Sequence, residues 1–324
     1  MKKFILKCFI FSIILLITMI ILSRIFIPKD NTKEAGVKVS AITDILGEKD
    51  NTIDLIVFGD SESITSIVPM ELWDKYGYTT YICGKPGQVL PDTLKVMFDT
   101  SKKQKPKAII LETNLIYNDV SITVPVGRVI QEILPITQYH DRWKNLTFRD
   151  FNPEIEYTRT DHMKGFHYRT TAVPADSNGY MSYTEDVQEI STVNKIYMKI
   201  INEYCKRNDI KMILMSVPST VNWNYAKHNA VVKFANEEQI EYIDLNIVAD
   251  EIGIDWNNDT LDGGDHMNYF GSLKLTEYFG KYLEGKQLLE SHKDDEYYNK
   301  WNDDLEKYQK EVDKKSKHKK INEV

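Results

Sequence analysis

Two residues far apart in the sequence, Ser61 and His266, are of the types that act together as nucleophile and base. Ser61 follows an apolar run at residues 53–58, and Asp262 and Asp265 lie four residues and one residue before His266. A serine hydroxyl is a weak nucleophile until a base removes its proton, and an imidazole oriented by a carboxylate is such a base. The three residue types together predict serine acyl-transfer chemistry.

Each part of this set also has a plainer interpretation. Asp60 and Ser61 are residue types that cap helices, so the alternative is that they only cap a helix that follows the apolar run. Asp262, Asp265 and His266 are metal-ligand types, but no fourth ligand is evident beside them in the sequence. We therefore predict neither a metal nor a cofactor.

The elements that must position these side chains follow from the apolar runs. Five short runs predict buried strands, and helix-like segments separate most of them. Alternating strands and helices predict a parallel sheet, with Ser61 at the carboxyl end of the first strand, where open α/β sheets place their sites. The predicted strands are residues 53–58, 79–83, 107–111, 211–215 and 241–245, and the predicted helices are residues 91–103, 192–208, 225–238 and 272–283.

Two regions depart from this alternation within and after a folded domain expected at residues 52–290. Residues 118–186 are rich in aromatic, basic and proline residues, and we interpret them as a long insertion over the carboxyl edge of the sheet. Residues 291–324 are strongly charged, with apolar side chains three and four residues apart. This spacing predicts an amphipathic helix that packs on the domain or on a partner, and the lysines of 314–320 are expected to be a solvated tail.

The N-terminal segment is apolar for long enough to cross a bilayer. After a pair of lysines, residues 4–27 carry only Lys7 and Arg24 as charges. The run is longer than the core of a typical signal peptide and ends without a small-residue cleavage site. We therefore predict a retained transmembrane anchor at 1–28 and a linker at 29–51. The preceding lysines place the N-terminus in the cytoplasm and the remaining chain outside the membrane.

Composition excludes several classes of protein. The 324 residues are 42% hydrophobic and 27% charged, as expected of a folded domain with a sizeable core. A net charge of −7 argues against a general nucleic-acid binder. Three cysteines, at positions 8, 83 and 205, form neither a disulfide framework nor a cysteine-based metal site.

Four short segments, taken in order, resemble the sequence blocks of the SGNH/GDSL hydrolase superfamily. The Gly-Asp-Ser sequence that ends at Ser61 matches the first block, whose serine is the nucleophile. Gly87 and Asn114 follow the second and third strands, where the family keeps the glycine and the asparagine of its oxyanion hole, and His266 matches the histidine of the last block. The resemblance implies a flavodoxin-like, three-layer α/β/α SGNH-hydrolase fold. It also implies an oxyanion hole formed by the Ser61 and Gly87 N–H groups and the Asn114 amide. A capping role for Asn114 is the alternative.

The last block departs from the family pattern. The family usually has an aspartate three residues before the histidine, and that position is Gly263 here. Asp262 is our preferred orienting carboxylate, because the two glycines after it let the chain fold back towards His266. Asp265 is the alternative, although adjacent side chains tend to diverge.

The anchor, the four blocks and the insertion together look like the membrane-tethered SGNH-like proteins of cell-surface polysaccharide O-acylation, such as those of alginate O-acetylation and teichoic acid D-alanylation. That resemblance implies an acyl-Ser61 intermediate, transfer to a glycan hydroxyl and a membrane-bound O-acyltransferase as partner. A carbohydrate esterase or deacetylase, and a non-catalytic glycan-binding or assembly protein, stay open as alternatives. Trp223 and Tyr117 are candidate substrate contacts, with core or rim packing as the alternative for each.

Overall fold

The computed structural model describes residues 1–38, 40–121 and 123–322, without the side chains of 124, 125 and 317–322. Part of the predicted lysine tail at 314–320 therefore lies outside the described side chains.

A five-stranded parallel sheet forms the core of the fold. Its strands are β1 Leu55–Gly59, β2 Thr80–Gly84, β3 Ala108–Glu112, β4 Lys211–Ser216 and β5 Glu241–Asp244. The strand order is β2-β1-β3-β4-β5, the order of flavodoxin-like folds. Every residue of β1, β2 and β3 is buried, as expected when helices cover both faces of a parallel sheet. The predicted α/β fold class and the five predicted strands are confirmed.

The helices that follow the strands are started by local signals in the sequence. The helices are α1 Lys2–Phe26, α2 Ala41–Asp44, α3 Pro69–Tyr76, α4 Leu90–Ser101, α5 Thr123–Ile133, α6 Ile136–Tyr139, α7 Thr192–Arg207, α8 Tyr225–Glu238, α9 Ala249–Ile252, α10 Tyr269–Lys286 and α11 Asn299–Asn322. The side chains of Ser191, Asn224 and Asn268 accept hydrogen bonds from the first free N–H groups of α7, α8 and α10. The four predicted helices correspond to α4, α7, α8 and α10. The short helix α3, with proline at its start, has no counterpart among the predicted helices.

The chain divides into two compact units. The N-terminal unit comprises Met1–Gly47 and Ser121–Thr160, and the sheet unit comprises Glu48–Val120 and Asp161–Val324. The residues predicted as one insertion, 118–186, are thus shared between them. The later part runs along the sheet unit as extended chain, where the Val173 N–H donates to the Thr260 carbonyl at 3.1 Å and the Ala175 N–H to the Trp256 carbonyl at 2.8 Å. The prediction of one insertion at 118–186 rested on a change of composition, whereas the two units are defined by packing.

The apolar stripe of α11 packs within the sheet unit. Trp301 is 2% exposed, and its ring lies 5.6 Å from that of Trp73 on α3. Beside it the buried Lys164 ammonium lies 2.6 Å from Asp304 and 2.8 Å from Glu48. Burial by itself lowers the pKa of Lys164, but the two carboxylates outweigh burial and raise it. The fully paired charge therefore ties α11 to two other segments of the unit.

Candidate active site

The turn after β1 carries the predicted nucleophile. Ser61 follows β1 and is partly exposed, whereas Ser63 two residues later is buried and donates to the Asp60 carbonyl at 2.7 Å. A Cβ on Gly84 would lie 2.2 Å from Ser63 Oγ, and one on Gly59 would lie 2.5 Å from Ser63 Cβ. The two glycines therefore make room for Ser63, which serves the turn and leaves Ser61 as its more accessible serine.

Asp60 and Asn118 connect this turn with the loops that follow β2 and β3. Asp60 Oδ2 accepts hydrogen bonds from the side-chain amides of Asn114 and Asn118, each at 3.1 Å. The amide of Asn118 also donates to the Gln88 carbonyl at 2.8 Å. The Asp60 carboxylate thus holds the loop after β3 beside Ser61, and Asn118 joins the loop after β2 to it. Sequence reasoning missed Asn118 altogether and gave Asp60 only a capping role.

The three predicted oxyanion donors sit in these loops. Gly87 has a φ of +64°, a conformation that favours glycine, and no described atom lies within 4 Å of the position its Cβ would take. Within the described part of the chain, the backbone N–H groups of Ser61 and Gly87 donate to no protein acceptor. The Asn114 amide is held by Asp60. Donors fixed in place before reaction are what an oxyanion hole requires, and their assignment stays a prediction.

The histidine loop, residues 262–266, carries His266, the predicted base, and both candidate orienting carboxylates. His266 Nδ1 lies 2.8 Å from Asp262 Oδ2 and 3.6 Å from Asp265 Oδ2. The His266 N–H donates to the other Asp262 oxygen at 2.9 Å. These distances favour Asp262 as the orienting carboxylate, an assignment that stays a prediction.

Two glycines permit this loop to fold back. Gly263 and Gly264 have φ values of +81° and +101°. A Cβ on Gly264 would lie 2.0 Å from the Thr220 hydroxyl, because the Thr220 N–H and the Ser219 hydroxyl both bind the Gly264 carbonyl. Gly263, the residue at the position where the SGNH/GDSL pattern has aspartate, has a positive φ that favours glycine, and the carboxylate comes from one residue earlier, at Asp262.

Asn222 links the histidine loop to the serine turn. Its side-chain amide donates to Glu62 at 2.8 Å and also to Asp265, so Asp265 is engaged away from the imidazole. His266 Nε2 is buried and has no hydrogen-bond partner among the described residues. The structure therefore does not bring the Ser61 hydroxyl within hydrogen-bond distance of His266. Such bonds are often long in free enzymes and shorten when substrate binds.

A group of buried carboxyls lies beneath the serine turn, and sequence reasoning did not foresee it. Glu62 and Glu112 are fully buried. Burial is the main cause that raises the pKa of each well above its ordinary value, and the negative charge of Asp60 adds to the effect. Glu112 Oε1 accepts from the Asn114 N–H at 2.5 Å, which connects this residue to the oxyanion loop. A charged residue that ends an otherwise apolar strand was the available signal for Glu112.

We expect Glu112→Gln to fold and to keep most of its activity, because an amide imitates the protonated acid. The raised pKa means that the folded chain binds more protons than the unfolded chain from about pH 4.5 upward, so wild-type stability falls as pH rises through that window. The variant should lose the part of this decline that Glu112 causes, at about 1.4 kcal/mol for each pKa unit removed, and keep the part that Glu62 causes. Urea unfolding at pH 5 and pH 8 measures the difference.

The matched control for this measurement is Glu203→Gln, a substitution on the exposed surface of α7. It should leave the wild-type pH dependence in place. A Glu112→Gln protein whose stability declines with pH as steeply as the wild type would show that Glu112 is ionised in the folded chain.

The two candidate substrate contacts have structural partners. Trp223 is 4% exposed, and its indole N–H donates to Asp244 at 3.1 Å. The Tyr117 hydroxyl donates to the Lys227 carbonyl at 3.2 Å, and burial raises its pKa. The Lys227 ammonium lies 4.7 Å from the centre of the Tyr117 ring and 5.8 Å from that of Trp223. These contacts favour the packing interpretation, most clearly for Trp223.

The metal alternative has no further support from the geometry. Ligand atoms of Asp262, Asp265 and His266 lie within 4.8 Å of one another. The hydrogen bonds between Asp262 and His266, and between Asp265 and Asn222, account for this closeness without an ion.

No family model and no curated protein matches this chain. Among solved structures the chain is similar to a lipase/acylhydrolase from Enterococcus faecalis, at 11% identity and a TM-score of 0.40, over 72% of this chain and 97% of that one. It is similar to the psychrotrophic esterase EstA from Pseudoalteromonas sp. at 10% identity and a TM-score of 0.39, over 72% and 98%. A GDSL-like lipase from Bacteroides thetaiotaomicron has 12% identity and a TM-score of 0.36, over 72% and 88%. Identities and TM-scores this low do not indicate what activity this chain has.

Proposed function

We propose that this protein is a membrane-anchored, extracytoplasmic serine O-acyltransferase, which acts on a cell-surface polysaccharide through an acyl-Ser61 intermediate. The observation that carries the proposal is the state of His266. His266 Nδ1 is engaged by Asp262 at 2.8 Å, and the buried Nε2 has no partner among the residues that the structure describes. The loop that carries His266 is joined to the serine turn through Asn222. A base oriented in this way is ready to accept a proton.

In the first step Ser61 Oγ attacks the carbonyl carbon of an acyl donor while His266 Nε2 takes the hydroxyl proton. The carbonyl oxygen becomes an oxyanion, which the Ser61 and Gly87 N–H groups and the Asn114 amide stabilise. The tetrahedral intermediate collapses, the donor oxygen leaves with the proton from His266, and an ester on Ser61 remains. Asp262 stabilises the imidazolium formed in between.

In the second step a glycan hydroxyl attacks the ester carbonyl, and His266 takes its proton. The second tetrahedral intermediate then expels Ser61 Oγ, which recovers a proton from His266. The products are the O-acylated glycan and the free enzyme. A membrane-bound O-acyltransferase that presents the acyl group is the proposed partner for the first step.

Two other functions use the same fold. In an esterase or deacetylase, water replaces the glycan hydroxyl in the second step, and the serine, histidine and oxyanion donors act as before. In a non-catalytic glycan-binding or assembly protein, polymer acylation depends on the presence of the chain and not on Ser61. His266 Nε2 is buried and has no partner in the described part of the chain, which favours the two catalytic functions, because a purely structural imidazole would have that nitrogen hydrogen-bonded.

The test uses the full chain in detergent micelles with a chromogenic acetyl ester. Intact mass measurement should show one acetyl adduct, which peptide mapping assigns to Ser61. Addition of an oligosaccharide acceptor should speed release of the adduct and yield acetylated oligosaccharide.

The outcomes separate the three functions. Free acetate as the sole product, unchanged by the acceptor, moves the conclusion to an esterase. Without any adduct, and with normal polymer acylation in cells that carry Ser61→Ala, the chain is an assembly protein.

A further inference from the structure

The N-terminal helix α1 is long and apolar enough to cross a membrane. The apolar stretch of this helix is not buried against the rest of the protein. Length and composition suit a retained anchor and a signal sequence alike. The contacts made at the carboxyl end of α1 say more about its role.

Residues from much later in the chain hold that end of α1. The Ile136 N–H donates to Ser23 Oγ at 3.1 Å, and Arg142 donates to the Phe26 carbonyl at 2.5 Å. The buried Arg142 guanidinium also binds the Ala35 carbonyl and the Asp150 carboxylate, at 2.5 and 2.6 Å. Removal of α1 would take away the Ser23 and Phe26 acceptors, at a cost of about 1–3 kcal/mol for each buried N–H left unsatisfied. These contacts favour a retained anchor over a cleaved signal sequence.

The same unit presents an apolar helix face. Val126, Val129, Ile130 and Ile133 of α5 are between 46% and 68% exposed. Their spacing of three and four residues puts them on one side of the helix. Soluble proteins rarely leave such a stripe exposed, so it indicates a surface that meets another apolar phase.

The apolar face of α5 lies near the carboxyl end of α1. Ile133 is three residues before Ile136, whose N–H binds Ser23, and three residues span at most about 11 Å. Ser23 lies about one helical turn before Ile27, where the apolar run ends. The apolar face therefore begins near the level at which α1 leaves the hydrocarbon. Trp143, which is 64% exposed and follows Arg142 in the chain, is a residue type enriched at that level.

We propose that the N-terminal unit is seated in the membrane interface, with the apolar face of α5 inserted between lipid headgroups and acyl chains beside α1. The partner is the lipid surface itself. An amphipathic helix lying in this plane buries its apolar side chains in the acyl boundary. This inference does not depend on the chemistry of Ser61.

The test places a nitroxide on either side of α5 in the full chain. Cys8→Ser removes the exposed cysteine, and Cys83 and Cys205 are buried. Ile130→Cys lies on the apolar face, and Gln131→Cys on the opposite side of the same helix is the matched control. In vesicles of phosphatidylcholine and phosphatidylglycerol, collisions with oxygen should exceed those with a water-soluble nickel complex at 130. The ratio should reverse at 131.

Three results would overturn the proposal. Equal, water-like ratios at both positions would place α5 in solvent. Protection of 130 from both reagents would mean that protein covers the face, and dipolar broadening at 130 would identify that protein as a second copy. Ile133→Cys is a second probe of the same face, and thermal unfolding of each labelled chain confirms that it is folded.

Discussion

Replacing Ser61 with alanine should lower kcat for a chromogenic ester by about 10⁶-fold, and His266→Ala should have a similar effect, because a nucleophile and its base act as one unit. The double variant should be scarcely worse than either single one. Steady-state kinetics of the full chain in detergent micelles, with thermal unfolding of each variant, would measure both the loss and the integrity of the fold.

Ser101→Ala and His140→Ala are suitable controls, since both side chains lie at the surface and hydrogen-bond to the carbonyl three residues earlier. Neither should change kcat appreciably. Losses that add when Ser61→Ala and His266→Ala are combined would count against a shared proton relay and against the proposed acyl-enzyme.

Asp262→Asn should lower kcat by about 10³- to 10⁴-fold, as expected when the histidine loses the partner that holds its tautomer. The carboxylate lies 2.8 Å from His266 Nδ1 and also accepts the His266 N–H. Asp265→Asn should cause a much smaller loss, because Asp265 lies 3.6 Å from that nitrogen and is bound by Asn222.

The relative losses of the two variants test which carboxylate orients His266. A larger loss in Asp265→Asn than in Asp262→Asn would reverse the assignment of the orienting residue in this loop.

The sheet was predictable because its signals are local. Apolar runs bounded by polar residues predicted all five strands, and alternation with helices predicted parallel pairing. The serine at the end of the first strand and the histidine before α10 were visible for the same reason, since each lies next to a recognisable element. Residues 118–186 carried no such periodicity, and their division between two units was not predictable.

The sequence by itself determined how strands and helices alternate along the chain. It therefore also determined which edge of the sheet carries Ser61 and His266. Only the tertiary structure decided how the side chains of that edge are held. Glu62, Glu112, Asn118 and Asn222 come from four segments, and their roles depend on burial and on partners distant in the chain. Burial and hydrogen bonding of this kind leave no periodic trace in the sequence, because they arise only when separate loops meet at one end of the sheet.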